Sequence, residues 1–309
     1  MTIAPYLKII GRGKEGARAL DRLQARDLMQ RILSGRVSDL ELGAFALAMR
    51  IKGETPQELG GFVEAAQAHT LPLASATPAV LLPSYNGARK LPNYTPLLAL
   101  LLARAGLPVL VHGPLHDAGR VTSAEIFEAL ALPPVSDAAS VQARWAAEQP
   151  AFMALELLNR PLAQLLALRD VLGLRNPGHT IAKLLPAIPG ALQVVNYTHP
   201  EYARSLADYL RLLGGDAMLM RGTEGEPVAD CRRQPRFDVY LSGEPQPQFS
   251  HEPETGSLLA LPPLPDGIDA HTTARHIEAI LAGALPVPAP IATQVHCLIG
   301  AQQAMSVRG

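Results

Sequence analysis

Two glutamates, Glu224 and Glu226, stand in the stretch Arg221-Gly-Thr-Glu-Gly-Glu-Pro227, directly behind the apolar run Ala217-Met-Leu-Met220. Carboxylates at the end of a strand can hold Mg²⁺ between a protein and a diphosphate. Read from the residues alone, the pair is also an ordinary acidic turn around Gly225. A second stretch, VLLPSYNGARKLPNYTP from Val80 to Pro96, is an apolar run that stops in a turn carrying Ser84, Asn86 and Gly87, followed by the adjacent bases Arg89 and Lys90. Turns at strand ends are where α/β proteins place ligand-binding groups, so this is a candidate phosphate loop. A third feature lies near the N-terminus, where Lys14, Arg18, Arg22 and Arg26 recur every fourth residue, with Arg12 just before them. On one helix these would form a stripe able to follow a phosphate backbone. The plainer alternative is a solvated face laced by Glu15, Asp21 and Asp27.

Other patterns carry less. Gly11, Gly13 and Gly16 match G-x-G-x-x-G, but the segments that follow are helical in pattern, so the match reads as a glycine-rich lead into a helix and not as a dinucleotide site. There is no Walker A pattern and no G-x-S-x-G elbow. The histidines, among them His69, His112, His116, His179 and His199, lack metal-ligand spacing, and the two cysteines, Cys231 and Cys297, suggest neither a disulfide framework nor a zinc site.

These residues sit in a chain of 309 residues with 48% hydrophobic, 5% aromatic and 18% charged content, which favours helix packing and α/β layers over an all-β sandwich. The net charge of −1 gives no overall argument for nucleic acid, yet residues 1–36 hold eight bases against three acids, and Phe237 onward holds seven acids against two bases. No signal peptide is evident in MTIAPYLKII, and the most apolar window is broken by Arg104 and Gly106, so a cytoplasmic protein without a membrane partner is expected.

The elements follow from periodicity and caps. Residues 16–70 read as helices, with a stop at Gly35, a Ser38/Asp39 start, an end near Gly53, and a Thr55-Pro56-x-Glu58 start. YLKII could be a short strand. After Leu73 strands and helices alternate: AVLL, TPLLALLLARAG, LPVLVHG and TSAEIFEALAL. Residues 141–186 read as helix, and ALQVVNY, PEYARSLADYLRLLGG and DAMLMRG resume the alternation. The proline-rich tail ends in two helical stretches, His271–Ala284 and Ala289–Ser306.

The helical stretch MQRILSGRVSDLELGAFALAMRIKGETPQELGGFVEAAQAH, residues 29–69, resembles the N-terminal region of the anthranilate phosphoribosyltransferases. The markers SYNGARK, HTIAKL, THPEY and RGTEGE resemble the TrpD-like (YbiB) branch of that family. The resemblance implies an α/β fold: a small all-helical domain, here 1–72 with 160–188, used for homodimerisation, and a larger α/β domain, 73–159 with 189–309, with a central, mostly parallel sheet. It also implies where the diphosphate cradle should be. The family's G-T-G-G-D loop falls on Pro83-Ser-Tyr-Asn-Gly87, its N-x-S-T on Asn93-Tyr-Thr-Pro96, and its K-H-G-N-R on Val111-His-Gly-Pro-Leu115. A further lysine becomes Arg120, and the substrate-side arginine is kept as Arg175. Ser84, Asn86, Gly87, Asn93, Thr95, His112 and Gly113 are thus a rewritten phosphate site, and Glu224 with Glu226 a vestige of a magnesium pair.

Each lost preorganised group costs about 10²–10³ in rate, so the residues favour loss of phosphoribosyl transfer. The TrpD-like resemblance implies a homodimer that binds DNA or RNA with weak sequence preference. Its expected contacts are Arg12, Lys14, Arg18, Arg22, Arg89, Lys90, Arg120, Arg175 and Lys183, with no catalytic residue and no cofactor. The alternative is a phosphoribosyltransferase-like glycosyltransferase or a phosphorylase that uses phosphoribosyl diphosphate with Mg²⁺ and an altered substrate. An inert dimeric scaffold is a third reading.

Overall fold

The computed structural model describes residues 2–256 and 259–308. The chain divides into two compact units, residues 1–71 with 155–187 and residues 72–154 with 188–309.

The first unit is helical. Three of its helices open with a reciprocal capping box: Asp21 with Gln24 before Arg22–Leu33, Ser38 with Glu41 before Asp39–Lys52, and Thr55 with Glu58 before Pro56–Gln67. Each box satisfies two otherwise unpaired N–H groups at the helix start. Arg22–Leu33 packs backbone-close against Pro56–Gln67. A Cβ on Gly61 would lie 2.3 Å from the Arg22 carbonyl oxygen, so only glycine allows this approach. Phe45 and Phe62 meet edge-to-face beside them, both fully buried. Glu58 is also fully buried. It accepts from the Leu20 N–H at 3.0 Å and from the Lys52 ammonium at 2.7 Å, which provides the pairing a buried charge requires.

Two expectations for this unit change. YLKII is not a strand but part of helix Ala4–Ile10, started by Pro5 in its first turn. The four-residue repeat of bases does not lie on one helix. Lys14 belongs to the short helix Gly13–Gly16, the chain from Ala17 to Asp21 is non-helical, and Asp21 caps a new helix that begins at Arg22.

The second unit is a seven-stranded sheet in the order β3-β2-β1-β4-β5-β6-β7. The strands are β1 Val80–Pro83, β2 Val109–Gly113, β3 Ala151–Ala154, β4 Leu192–Tyr197, β5 Ala217–Arg221, β6 Phe237–Leu241 and β7 Glu244–Pro245. β1 to β5 pair in parallel, and β6 and β7 add an antiparallel edge. The run Val80-Leu-Leu-Pro83 is buried throughout, as are Val109–Gly113 and Ala151–Ala154. Burial on both faces is why these parallel strands are continuous apolar runs. Helices Thr95–Arg104, Ser123–Ala129 and Ala289–Arg308 contribute Leu97, Leu98, Phe127, Ile291 and Leu298 to the same core.

β3 replaces part of the helix expected over 141–186. A four-residue apolar run does not distinguish a buried strand from a buried helix by period. β6 and β7 likewise lie in the proline-rich tail, ahead of the two helical stretches expected at its end. Those helices run Ala270–Leu281 and Ala289–Arg308. Among the described residues, no helix is long and apolar enough to cross a membrane.

Candidate functional site: an anion cradle closed by its own glutamates

In the order β3-β2-β1-β4-β5, the direction of strand addition reverses between β1 and β4. Open α/β sheets bind ligands beyond the carboxyl ends of the strands at such a reversal. The loop after β1, residues 84–94, lies there, and the turn after β5, residues 222–228, folds onto it.

Two glycines make the close approach possible. A Cβ on Gly113, at the end of β2, would sit 1.8 Å from the Ser84 carbonyl oxygen. Gly87 has φ +67°, and a Cβ there would sit 2.7 Å from the Val121 carbonyl oxygen. The loop is then pinned from both sides. Ser84 N–H donates to the His112 carbonyl at 2.9 Å, and Ala88 and Val121 exchange both backbone bonds at 2.8 and 3.0 Å.

The acidic turn is built with equal constraint. Thr223 donates from its N–H and its hydroxyl to the Val228 carbonyl at 3.0 and 2.9 Å. Glu224 at φ +52° and Gly225 at φ +90° reverse the chain. Behind them, the fully buried Gln294 accepts from the Ala229 N–H at 2.8 Å and donates to the Pro227 carbonyl at 3.0 Å. A residue in the last helix thereby fixes the turn that presents Glu226.

The Glu226 side chain fills the cradle. Its Oε1 accepts from the backbone N–H groups of Asn86 and Gly87, each at 2.7 Å. Its Oε2 accepts from the Ser84 hydroxyl, from the Thr95 hydroxyl at 3.2 Å and from the Asn93 amide at 3.5 Å. The residue is 1% exposed. Ser123, missed in the sequence, supports the donors, with its Oγ 2.7 Å from that of Ser84 and 2.9 Å from the Asn93 amide nitrogen. Successive N–H groups with hydroxyls beside them form an anion-binding nest, and here the anion belongs to the chain.

Glu224 repeats the device one step along the loop. Its Oε2 accepts from the N–H groups of Arg89 and Lys90, each at 2.9 Å, and of Leu91 at 3.1 Å. Partial burial raises its pKa, but the three N–H bonds and the Arg120 charge prevail, so the carboxyl lies below its ordinary value. Arg120 also donates to the Gly87 carbonyl at 3.5 Å. Arg232, absent from the sequence reading, is held by Asp230 at 2.9 Å and feels the charge of Glu224. No local motif marks Arg232. Only its place six residues beyond the second glutamate hinted at it.

Tyr85, at a position where the family's loop has glycine, turns its side chain away from the cradle. Its side chain is 5% exposed, and its hydroxyl lies 2.7 Å from His112 Nδ1. His112 is fully buried, and its Nε2 has no hydrogen-bond partner. Desolvation lowers its pKa to about 3, so the ring is neutral at physiological pH.

The structure thus brings together Ser84, Asn86, Gly87, Asn93, Thr95, Glu224 and Glu226, with His112 and Gly113 behind them and Arg120 at the side. Arg89 and Lys90 are exposed and join through their backbone alone. The other expected cations belong to the helical unit. Arg12 is exposed ahead of helix Gly13–Gly16, Arg18 donates to the Glu15 and Ala17 carbonyls, and Arg22 pairs with Glu64. Arg175 follows helix Arg160–Leu172, and Lys183 lies in the last turn of helix Gly178–Leu184.

The geometry matches a known group of proteins. Residues 4–70 match the helical bundle domain of a glycosyl transferase family. An uncharacterized protein, YbiB, of Escherichia coli (strain K12) is 42% identical over 97% of this chain and 94% of its own length. The anthranilate phosphoribosyltransferase of Methanopyrus kandleri is 30% identical over 88% of this chain and 82% of its own. Among solved structures, the anthranilate phosphoribosyltransferase (TrpD) of Thermus thermophilus superposes with a TM-score of 0.74 at 22% identity, covering 98% of this chain and 89% of that one. The Saccharomyces cerevisiae enzyme in complex with PRPP and Mg superposes with a TM-score of 0.69 at 14% identity, covering 97% and 88%.

These likenesses correct the expectation of a DNA- or RNA-binding protein. The relatives and neighbours above whose activity is named are transferases, and their names point to a glycosyltransferase-like protein in place of a nucleic-acid-binding one. The basic stripe behind that expectation is also interrupted at Ala17–Asp21. With a helical bundle, a parallel sheet carrying an anion cradle at its reversal, and near-full-length identity to these proteins, the chain belongs to the TrpD-like family of the anthranilate phosphoribosyltransferases.

Proposed function

We propose that the protein is a glycosyltransferase of the phosphoribosyltransferase type, using phosphoribosyl diphosphate as donor and an acceptor other than anthranilate. The observation that carries this reading is the cradle after β1. It converges two backbone N–H groups, two hydroxyls and an amide on one oxyanion position. Such a cradle suits a diphosphate, and the yeast neighbour binds PRPP. The acceptor's nucleophile would bond to C1 of the ribose while the C1–O bond to diphosphate breaks. Donors aimed at the departing oxygens, with Arg120 and Arg232 alongside, stabilise the charge that develops there.

Magnesium, present with PRPP in the yeast structure, does not fit the residues as arranged. Glu224 and Glu226 are each committed to donors of the loop, and among the described residues no group of three His, Cys, Asp or Glu side chains could hold a metal ion.

The reading includes a homodimer formed through the helical unit. Leu40, Leu47 and Ile51 support it, being 85%, 51% and 61% exposed along helix Asp39–Lys52. Light scattering tests the dimer, and a monomeric mass at micromolar concentration would refute it.

Calorimetric titration with phosphoribosyl diphosphate, with and without Mg²⁺, tests the donor. A diphosphate-release assay over a panel of amine and nitrogen-heterocycle acceptors tests transfer. Saturable binding and acceptor-dependent release support the reading. Absence of both, in the wild type and in a chain freed of Glu226, overturns it.

A further inference from the structure

We infer that Glu226 is an internal ligand that holds the cradle shut, and that an external oxyanion binds by displacing it. This rests on reading the loop after β1 as the donor's anion site. An acid that served a metal would keep lone pairs directed at a shared ion, whereas Glu226 directs both oxygens at the loop. Five donors converge on it: the N–H groups of Asn86 and Gly87, the hydroxyls of Ser84 and Thr95, and the Asn93 amide. It is 1% exposed, so any anion entering the cradle must take the volume its carboxylate holds.

Glu224 secures the neighbouring stretch in the same manner, through the N–H groups of Arg89, Lys90 and Leu91. The eight-residue run from Ser84 to Leu91 is thus held by carboxylates from one short turn. The residues around the turn suit an exchange of anions. Arg120 and Arg232 feel the charge of Glu224, and a diphosphate brings more negative charge to them than one carboxylate does. The competition is direct. A charged carboxylate on this many donors must give up hydrogen bonds of the stronger, charge-assisted kind before any ligand gains them.

The test compares wild type with Glu226→Ala and Glu226→Gln, using inorganic diphosphate as the calorimetric probe. Removing the charged occupant is expected to tighten diphosphate binding about tenfold or more in Glu226→Ala. Glu226→Gln keeps the shape and can still accept from the Asn86 and Gly87 N–H groups. It is expected to fold even where the alanine variant does not, and to tighten binding by a smaller factor. Amide hydrogen exchange at Asn86 and Gly87 should quicken in Glu226→Ala and slow again when diphosphate is added. A folded variant with wild-type diphosphate affinity would overturn the lock.

The two proposals fail separately. Tighter inorganic diphosphate binding in the variants, without phosphoribosyl diphosphate binding or transfer, would keep the lock and sink the transferase reading. Acceptor-dependent diphosphate release by wild type, with no gain in either variant, would do the reverse.

Discussion

The Oε1 atom of Glu226 lies 2.7 Å from the backbone nitrogen of Gly87, a residue 139 positions earlier in the chain. The contact joins the turn after β5 to the loop after β1 and makes a phosphate-type loop its own ligand site. Around it, several properties of the chain become measurable.

Gly87 and Gly113 are expected to resist any side chain. Gly87→Ala places a Cβ 2.7 Å from the Val121 carbonyl oxygen at φ +67°, and Gly113→Ala one 1.8 Å from the Ser84 carbonyl oxygen. At Gly87 the left-handed backbone alone costs a side chain about 1–3 kcal/mol, and at Gly113 the Ser84 carbonyl must move to make room for the new Cβ. Gly43 is the contrast, in the interior of helix Asp39–Lys52 with nothing within 4 Å of its Cβ position. Gly43→Ala should stabilise by about 0.5–1 kcal/mol. Urea unfolding of the three variants reads all these signs, and a neutral Gly113→Ala would refute the packing described at the end of β2.

Arg89 and Lys90 should be dispensable for the loop's structure. Their side chains are exposed, and it is their N–H groups that Glu224 holds. The double replacement Arg89→Ala/Lys90→Ala is expected to change stability by less than about 0.5 kcal/mol and to leave amide exchange at residues 89–91 slow. Glu224→Ala should speed that exchange. Equal protection in both variants would show that the carboxylate does not order this part of the loop.

The buried pair of the helical unit should be costly to break. Glu58 is fully buried, paired with Lys52 at 2.7 Å and bonded to Leu20 and Thr55. Glu58→Ala leaves the Lys52 charge and two N–H groups without their acceptor, a loss of about 3–5 kcal/mol. Glu58→Gln keeps an acceptor and should lose less. Chemical denaturation of the two variants gives the ranking, and the reverse order would contradict it.

Acidification should weaken the fold through His112. Burial lowers its folded pKa to about 3, against 6.5 for an ordinary histidine. Its contribution is therefore complete above pH 6.5 and is lost as the pH falls towards 3, because the unfolded chain takes up the proton first. The slope within that window approaches about 1.4 kcal/mol per pH unit. His112→Asn should be less stable than wild type at pH 7 but lose less between pH 7 and 4. His179, also lowered by burial to about 4, is present in both proteins and cancels in the comparison. Parallel stability curves would show that His112 is not buried neutral.

Much of this protein is determined by the sequence read locally. Thr55-Pro-x-Glu58 starts its helix where the capping residues stand, because a cap needs only partners three residues apart. The apolar runs at Val80, Val109 and Leu192 mark parallel strands, because burial on both faces leaves no alternation. SYNGARK marks the loop after β1. Some of what was missed was also local. Asp21 with Gln24 is a cap signal that ends the basic stripe, and the four-residue repeat of bases obscured it. The short β3 and the antiparallel edge β6–β7 are different, because which short run becomes a strand is decided by the neighbours it pairs with. The role of Glu226 belongs wholly to the tertiary structure. Its donors lie more than 130 residues away, and Gln294, which steadies its turn, lies 65 residues beyond Ala229. An acidic turn reads the same whether its carboxylates face solvent, a metal or a nest of N–H groups, and only the folded sheet brings that nest to them.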